Sequence, residues 1–211
     1  DLWSKHANKI ALQDRSGLAV RERAPLFGVV SRLTSQKGID LVLGAADSIV
    51  ERGGQMVVLG QGELALHEAL RAAAQRHPQG IAVRFGFDEA LAHRIEAGID
   101  CFLMPSRFEP CGLNQMYSQA YGSPPIVSPV GGLKDSVIDV DDDPVAGSGF
   151  VMTSCDAEGF ADALDRAFFA YSDPAIWERI QRNGMTRHFG WEDRAQDYVE
   201  IYERALVNAR R

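Results

Sequence analysis

Short apolar runs alternate with amphipathic stretches along most of this chain, and that rhythm limits the possible folds more than any other feature. Leu26-Phe-Gly-Val-Val-Ser-Arg-Leu33 predicts a buried strand. Ile39, Leu43, Ala46 and Ile49-Val50 follow at helical spacing and stop at Gly53-Gly54, a helix-ending signal. Gln55-Met-Val-Val-Leu-Gly60 predicts a second strand, and Leu66, Leu70 and Ala73-Ala74 a second helix ended by His77-Pro78. Ile81-Ala-Val-Arg-Phe85 predicts a third strand, followed by a short helix over 90–97. Cys101-Phe-Leu-Met104 predicts a fourth strand, 113–121 a helix, Pro125-Ile-Val-Ser128 a fifth strand and Gly149-Phe-Val-Met152 a sixth. Strands that are apolar on both faces must be covered on both, which means a parallel sheet between two layers of helices.

The last third changes rhythm. Residues 157–172, 174–188 and 191–208 predict consecutive helices with no strand between them, and the last sets Trp191, Ala195, Tyr198, Tyr202 and Leu206 on one stripe. The expected organisation is therefore a lead-in segment over 1–24 with a helix over 7–18, a Rossmann-like α/β domain over 25–190, and a terminal helical segment over 191–211. No internal repeat or linker divides the chain further.

Composition removes several classes. The chain has 211 residues, enough to bury a full core, with 45% hydrophobic and 24% charged residues. No apolar run approaches the roughly 20 residues of a membrane helix, and Asp1-Leu-Trp-Ser-Lys lacks the pattern of a secretory signal. Cys101, Cys111 and Cys155 cannot all pair with one another and form no C-x-x-C, so reduced thiols and a cytoplasmic setting are expected. A net charge of −7 argues against general nucleic-acid binding. It does not argue against a small anion held by a few well-placed cations.

In an open parallel sheet, ligands bind beyond the carboxyl ends of the strands, so those segments are the ones to inspect. After the first strand, Arg32 and Lys37 in Ser31-Arg-Leu-Thr-Ser-Gln-Lys37-Gly38 put two cations beside a positive helix end. That arrangement is costly unless an anion such as phosphate lies between them; the alternative is two solvated cations. Leu59-Gly-Gln-Gly62 carries a partial G-x-G that a tight strand-to-helix turn explains equally well. Phe87 stands at the ligand edge after the third strand, where a core role competes with base stacking. Pro105-Ser-Arg-Phe-Glu-Pro-Cys-Gly-Leu113 is the richest segment. Pro110 holds Glu109 extended, aiming its carboxylate at the crevice, where it would bind sugar hydroxyls or else cap the next helix. Gly131-Gly132 forms a turn whose amides can approach phosphate, or an ordinary glycine turn.

Other motifs fail. Asp139, Asp141 and Asp143 begin like a calcium loop, but Pro144 replaces the glycine and Phe150 the closing Glu, leaving a solvated acidic loop as the expectation. His67-Glu68 is not followed by the second His of H-E-x-x-H, no zinc spacing exists, and Gly147-Ser148-Gly149 is not a nucleophile elbow. No metal site is expected.

Taken together these segments resemble the C-terminal half of bacterial glycogen synthases and plant starch synthases, retaining glycosyltransferases of the GT-B fold that use ADP-glucose. Residues 25–38 and 105–113 are close to family signatures, Gly132-Leu-Lys-Asp135 and Phe189-Gly-Trp191 match too, and the likeness runs from about Lys5 to Arg204. The resemblance implies that Arg32 and Lys37 neutralise the donor diphosphate and that Glu109 holds glucose hydroxyls, these three forming the catalytic set. It also implies that Cys111, Gly112, Leu113 and Asn114 line the donor, that Phe87 stacks on adenine in place of a family tyrosine, and that Gly131 and Gly132 meet phosphate through amides. Asn114 and Val130 replace threonines common in the family, both near the phosphates. The implied reaction moves glucose from ADP-glucose to the non-reducing end of an α-1,4-glucan, with no cofactor beyond that substrate. Its partners are the nucleotide sugar, the glucan and an N-terminal domain absent from this chain, toward which the terminal helix crosses. The setting is the bacterial cytoplasm, or a plastid in a plant. Alternatives are another retaining GT-B transferase, such as a UDP-sugar enzyme of the sucrose-synthase kind, and a non-catalytic nucleotide-sugar module.

Overall fold

Six strands, β1 (Leu26–Leu33), β2 (Gln55–Gly62), β3 (Ile81–Phe85), β4 (Cys101–Met104), β5 (Pro125–Val127) and β6 (Phe150–Val151), form one sheet in a computed structural model. It describes residues 2–209 apart from the side chains of 192–194. Every pairing is parallel, and the order is β3-β2-β1-β4-β5-β6. The expected Rossmann-like sheet is therefore present. Around it lie α1 (Leu2–Arg15), α2 (Ile39–Glu51), α3 (Leu64–Arg76), α4 (Glu89–Gly98), α5 (Asn114–Ala120), α6 (Gly131–Ser136), α7 (Ala157–Tyr171), α8 (Pro174–Met185) and α9 (Trp191–Ala209).

Period-two alternation divides the core. Phe27, Val29, Met56 and Val58 point to one face and pack with Val42 and Ile49 of α2, Leu70 of α3 and Leu164 of α7. Leu26, Val57 and Leu59 point to the other and pack with Leu12 of α1 and with Ile95 and Ile99 at α4. Each such side chain removed from water stabilises the fold by about 1.5–3 kcal/mol. Helix starts follow local chemistry: Asp88, Asp156 and Asp173 cap α4, α7 and α8 by accepting backbone N–H bonds, and Pro174 occupies the first turn of α8.

Several expectations need correction. The first helix begins at Leu2 rather than residue 7 and ends at Arg15, because Lys5 and Lys9 anchor it. Lys9 Nζ lies 2.6 Å from Asp100 and donates to the carbonyls of Glu22 and Ala24 and to the Tyr171 hydroxyl. Lys5 Nζ donates to the carbonyls of Glu96, Ala97 and Tyr121 and to Ser123 Oγ. The sequence shows these as polar helix residues; the tertiary fold buries both. Strand β2 runs through Gly62, so the G-x-G belongs to the strand itself. Gly131-Gly132 opens α6 instead of forming a simple turn. The acidic segment is not wholly solvated. Asp139 is buried, pairs with Arg166 at 2.9 Å and accepts N–H bonds from Asp141 and Val151. In α9 every described side chain is exposed, including Trp191, Tyr198, Tyr202 and Leu206 of the expected apolar stripe. Residues 1, 210 and 211 of the expected terminal segments lie outside the described residues. Among the described residues, no helix is long and apolar enough to cross a membrane.

Glu96 yields a pH signature. It is buried, its Oε2 has no hydrogen-bond partner, and burial pushes its carboxyl from 4.5 up to about 8 against the pull of Lys5. A carboxyl that holds its proton more tightly when folded stabilises at low pH and loses that contribution as pH rises through the folded value. Burial lowers Lys5 to about 8, so its own effect begins only above that pH. Between pH 5 and about 8 the unfolding free energy should therefore fall, and Glu96→Gln should flatten that slope. Urea titrations at three pH values across this window check it.

Candidate active site

Strand order reverses between β1 and β4, and such a switch point leaves a crevice beyond the strands' carboxyl ends. Arg32 sits near the end of β1, exposed, with no ion-pair partner among the described residues. The chain then makes a 3-10 turn, Ser35–Lys37, and swings into α2 through Gly38 in the left-handed region at φ 69°. A Cβ at Gly38 would lie 2.0 Å from the Pro105 carbonyl oxygen, so only glycine lets this loop dock against the one after β4.

That docking brings Lys37 to Glu109. The Lys37 ammonium bonds the Glu109 carboxylate, and both side chains are largely buried, 16% and 11% exposed. The anion expected beside Lys37 is thus supplied by the protein's own Glu109. Glu109 is not a helix cap, because α5 begins after Leu113 with no side-chain cap bond. Asn114 donates from Nδ2 to the Val30 carbonyl at 2.7 Å, tying the start of α5 to β1. Gln115, fully buried, donates to the carbonyls of Cys111 and Gly112 and to Ser136 Oγ, which fixes the turn.

Six expected residues line one cleft of about 360 Å³: Arg32, Lys37, Glu109, Gly112, Leu113 and Asn114. Cys111 and Gly132 line a second cleft of about 400 Å³, together with Asp135, Arg187 and Phe189. Gly131, at φ 44°, lies against the Glu109 carbonyl, and the Gly132 amide donates to the Pro110 carbonyl at 3.1 Å. That amide is therefore already engaged. Phe87, where a core role competed with base stacking, is 92% exposed on the loop after β3 and lines neither cleft. A larger hollow of about 1170 Å³ lies among α1, α7 and α8, bordered by Pro25 and Asp100. It opens at the amino ends of the strands, away from the crevice where such sheets bind ligands.

Three residues around the site were given no role by the sequence. Arg107, on the loop after β4, forms a salt bridge with Asp40 in the first turn of α2, and His67 accepts the Gly62 N–H at 3.0 Å while stacking on Phe85. Arg107 and Asp40, 67 residues apart, carry no local signal. Arg107 lay within the signature segment, but its partner could not be read there.

A crevice at a switch point, lined by an exposed guanidinium and a lysine-carboxylate pair, suits a ligand with both phosphate and hydroxyl groups. The chain belongs to the family of glycosyl transferases group 1, whose model matches residues 12–184. Within that family its relatives are specific. It is 54% identical to the glycogen synthase of Paracidovorax citrulli over 209 residues, 99% of this chain and 41% of that protein. It is 52% identical to the glycogen synthase of Nitrosospira multiformis over 214 residues, 100% of this chain and 43% of that protein. Among solved structures it resembles the catalytic domain of starch synthase IV from Arabidopsis thaliana, bound to ADP and acarbose. The TM-score is 0.89 at 40% identity, covering 98% of this chain and 44% of that one. The expected likeness to glycogen and starch synthases therefore holds, and this chain spans less than half the length of these relatives.

Two glycines test the geometry. Gly131→Ala would place a Cβ 2.2 Å from the Glu109 carbonyl oxygen on a backbone that disfavours alanine. It should destabilise by about 1–3 kcal/mol. Gly44→Ala, in α2 with nothing within 4 Å, should stabilise by about 0.5–1 kcal/mol. Paired denaturant unfolding measures both.

Proposed function

We propose that this chain is the donor-binding domain of a glycogen synthase, which transfers glucose from ADP-glucose to the non-reducing end of an α-1,4-glucan with retention of configuration. The observation that carries the reading is the meeting of Lys37 and Glu109 in the switch-point cleft that Arg32 also lines. Arg32 and Lys37 neutralise the diphosphate as the glucosyl bond breaks, and Glu109 accepts hydrogen bonds from glucose hydroxyls. The donor's phosphates draw Lys37 partly away from Glu109, which frees carboxylate lone pairs for the sugar. Gly112 and Leu113 line the sugar end of the cleft, and Asn114 supports it from the Val30 carbonyl.

Phe87, exposed and one loop away, stacks on the adenine, while Cys111, Gly131 and Gly132 complete the phosphate side through their backbone. Because the Gly132 amide already bonds Pro110, Gly131 is the better free donor of the two. The starch synthase structure contains ADP and acarbose, a nucleotide and a saccharide of the chemistry this reading needs. The glucan binds a second domain, for which the longer relatives have room, and the exposed stripe of α9 packs there. The two glycogen synthases compared are bacterial, which supports a cytoplasmic setting over a plastid.

The purified chain should bind ADP-glucose and ADP weakly and transfer no glucose. Calorimetry with ADP-glucose, UDP-glucose and glucose 1-phosphate decides the donor, and preference for the uridine sugar would sink the ADP-glucose reading. In an enzyme holding both domains, Lys37→Ala should lower kcat more than it raises KM for the donor, costing about 3 kcal/mol, since the charge it meets grows in the transition state. A pure KM effect would limit Lys37 to ground-state anchoring. Glu109→Ala should leave ADP binding intact while removing the preference for ADP-glucose, because only the sugar touches it. Titration of both nucleotides measures that ratio.

A further inference from the structure

We propose that Arg107 is a positioning residue whose guanidinium, gripped by Asp40 and the Ser35 carbonyl, holds Lys37 and Glu109 at the spacing a sugar diphosphate requires. This rests on the donor-site reading above and goes beyond it, since Arg107 does not line the cleft.

Lys37 and Glu109 lie 72 residues apart in sequence, on loops that leave different strands. Nothing covalent nearby sets their separation, so the contacts between the loops must do so. Those contacts converge on Arg107. Its backbone N–H donates to the Gln36 carbonyl at 2.8 Å. Its Nη1 donates to the Ser35 carbonyl at 2.6 Å and to Asp40 Oδ1 at 2.7 Å, and its Nη2 to Asp40 Oδ2 at 2.7 Å. Gln36 adds a bond from Nε2 to the Phe108 carbonyl at 3.3 Å. The fork therefore holds the chain at Ser35, two residues before Lys37, and at Asp40 in the first turn of α2, three residues after it, while Arg107 itself stands two residues before Glu109. A planar guanidinium can satisfy two carboxylate oxygens and a carbonyl at once; an ammonium on a flexible stem cannot hold that geometry.

Stability does not account for this fork. Both side chains are substantially exposed, 39% and 44%, and exposed ion pairs contribute little to folding. Placement matters more, because a displacement of about 1 Å at a reacting centre can cost on the order of a hundredfold in rate. The bond to Arg107 also holds the Asp40 carboxyl below its ordinary range.

The test compares wild type, Arg107→Lys, Asp40→Asn and the double variant by calorimetric titration with ADP and with ADP-glucose, alongside thermal melting. Arg76→Lys, which disturbs a similarly exposed fork on Asp47, is the control. Arg107→Lys and Asp40→Asn should each melt within about 2 °C of wild type. Each should also lower the affinity ratio of ADP-glucose to ADP by about tenfold, because phosphate and hexose no longer fit Lys37 and Glu109 together. The double variant should lose no more than either single one, and Arg76→Lys should keep the ratio. An unchanged ratio in both single variants would overturn the proposal. So would equal losses for both nucleotides in step with a lower melting temperature, which mark a purely structural role. Wild type that binds neither nucleotide would overturn the donor-site reading and this proposal with it, whereas wild type that discriminates beside variants that discriminate equally would overturn this proposal alone.

Discussion

The reversal of strand order beside β1 is the constraint on which the rest of the site depends. Because β2 and β4 flank β1 on opposite sides, the loops leaving β1 and β4 diverge toward different layers and leave an open crevice between them. The loop after β1 carries Lys37 and the loop after β4 carries Glu109. Their docking, through Gly38 against Pro105 and through Arg107, turns two unrelated segments into one cleft wall.

Lysines at the two ends of the sheet show how environment decides what a charge does. Lys9 is buried, ion-paired with Asp100 and hydrogen-bonded to two carbonyls and a hydroxyl, while Asp100 also accepts the Leu26 N–H. Its donors are all engaged by the protein, and removing one partner of such a buried pair would strand the other. Lys5 has the same internal saturation. Lys37 has one carboxylate partner and faces a cleft, so an incoming anion can share it. The first two lysines fasten α1 to the domain; the third is available for chemistry.

Much of the fold was legible because period-two apolar runs such as Leu26–Leu33 and helical spacing from Ile39 onward are local patterns. The strand β3, Ile81–Phe85, matches its expected bounds residue for residue. Misses arose where long-range contacts overrule local character. Asp139 reads as a solvated acidic-loop residue yet is drawn inward by Arg166 on α7. Phe87, for which a core role competed with base stacking, stands in solvent on the loop that follows β3. In the site, the segments holding Arg32, Lys37 and Glu109 were identifiable from cations and a proline-held carboxylate after strand ends, and the family likeness supplied their roles.

By itself the sequence determined the parallel sheet, the segments at its carboxyl edge and the kind of residue each presents, since these follow from side-chain periodicity, from the fixed φ of Pro110 and from the wider torsions open to glycine. Only the tertiary structure decided that Lys37 meets Glu109, that Arg107 grips Asp40, and that Gly132 spends its amide on Pro110. The physical reason is distance along the chain. Hydrophobic periodicity acts over a few residues, whereas a hydrogen bond between loops 72 residues apart exists only after the sheet has brought two strand ends side by side.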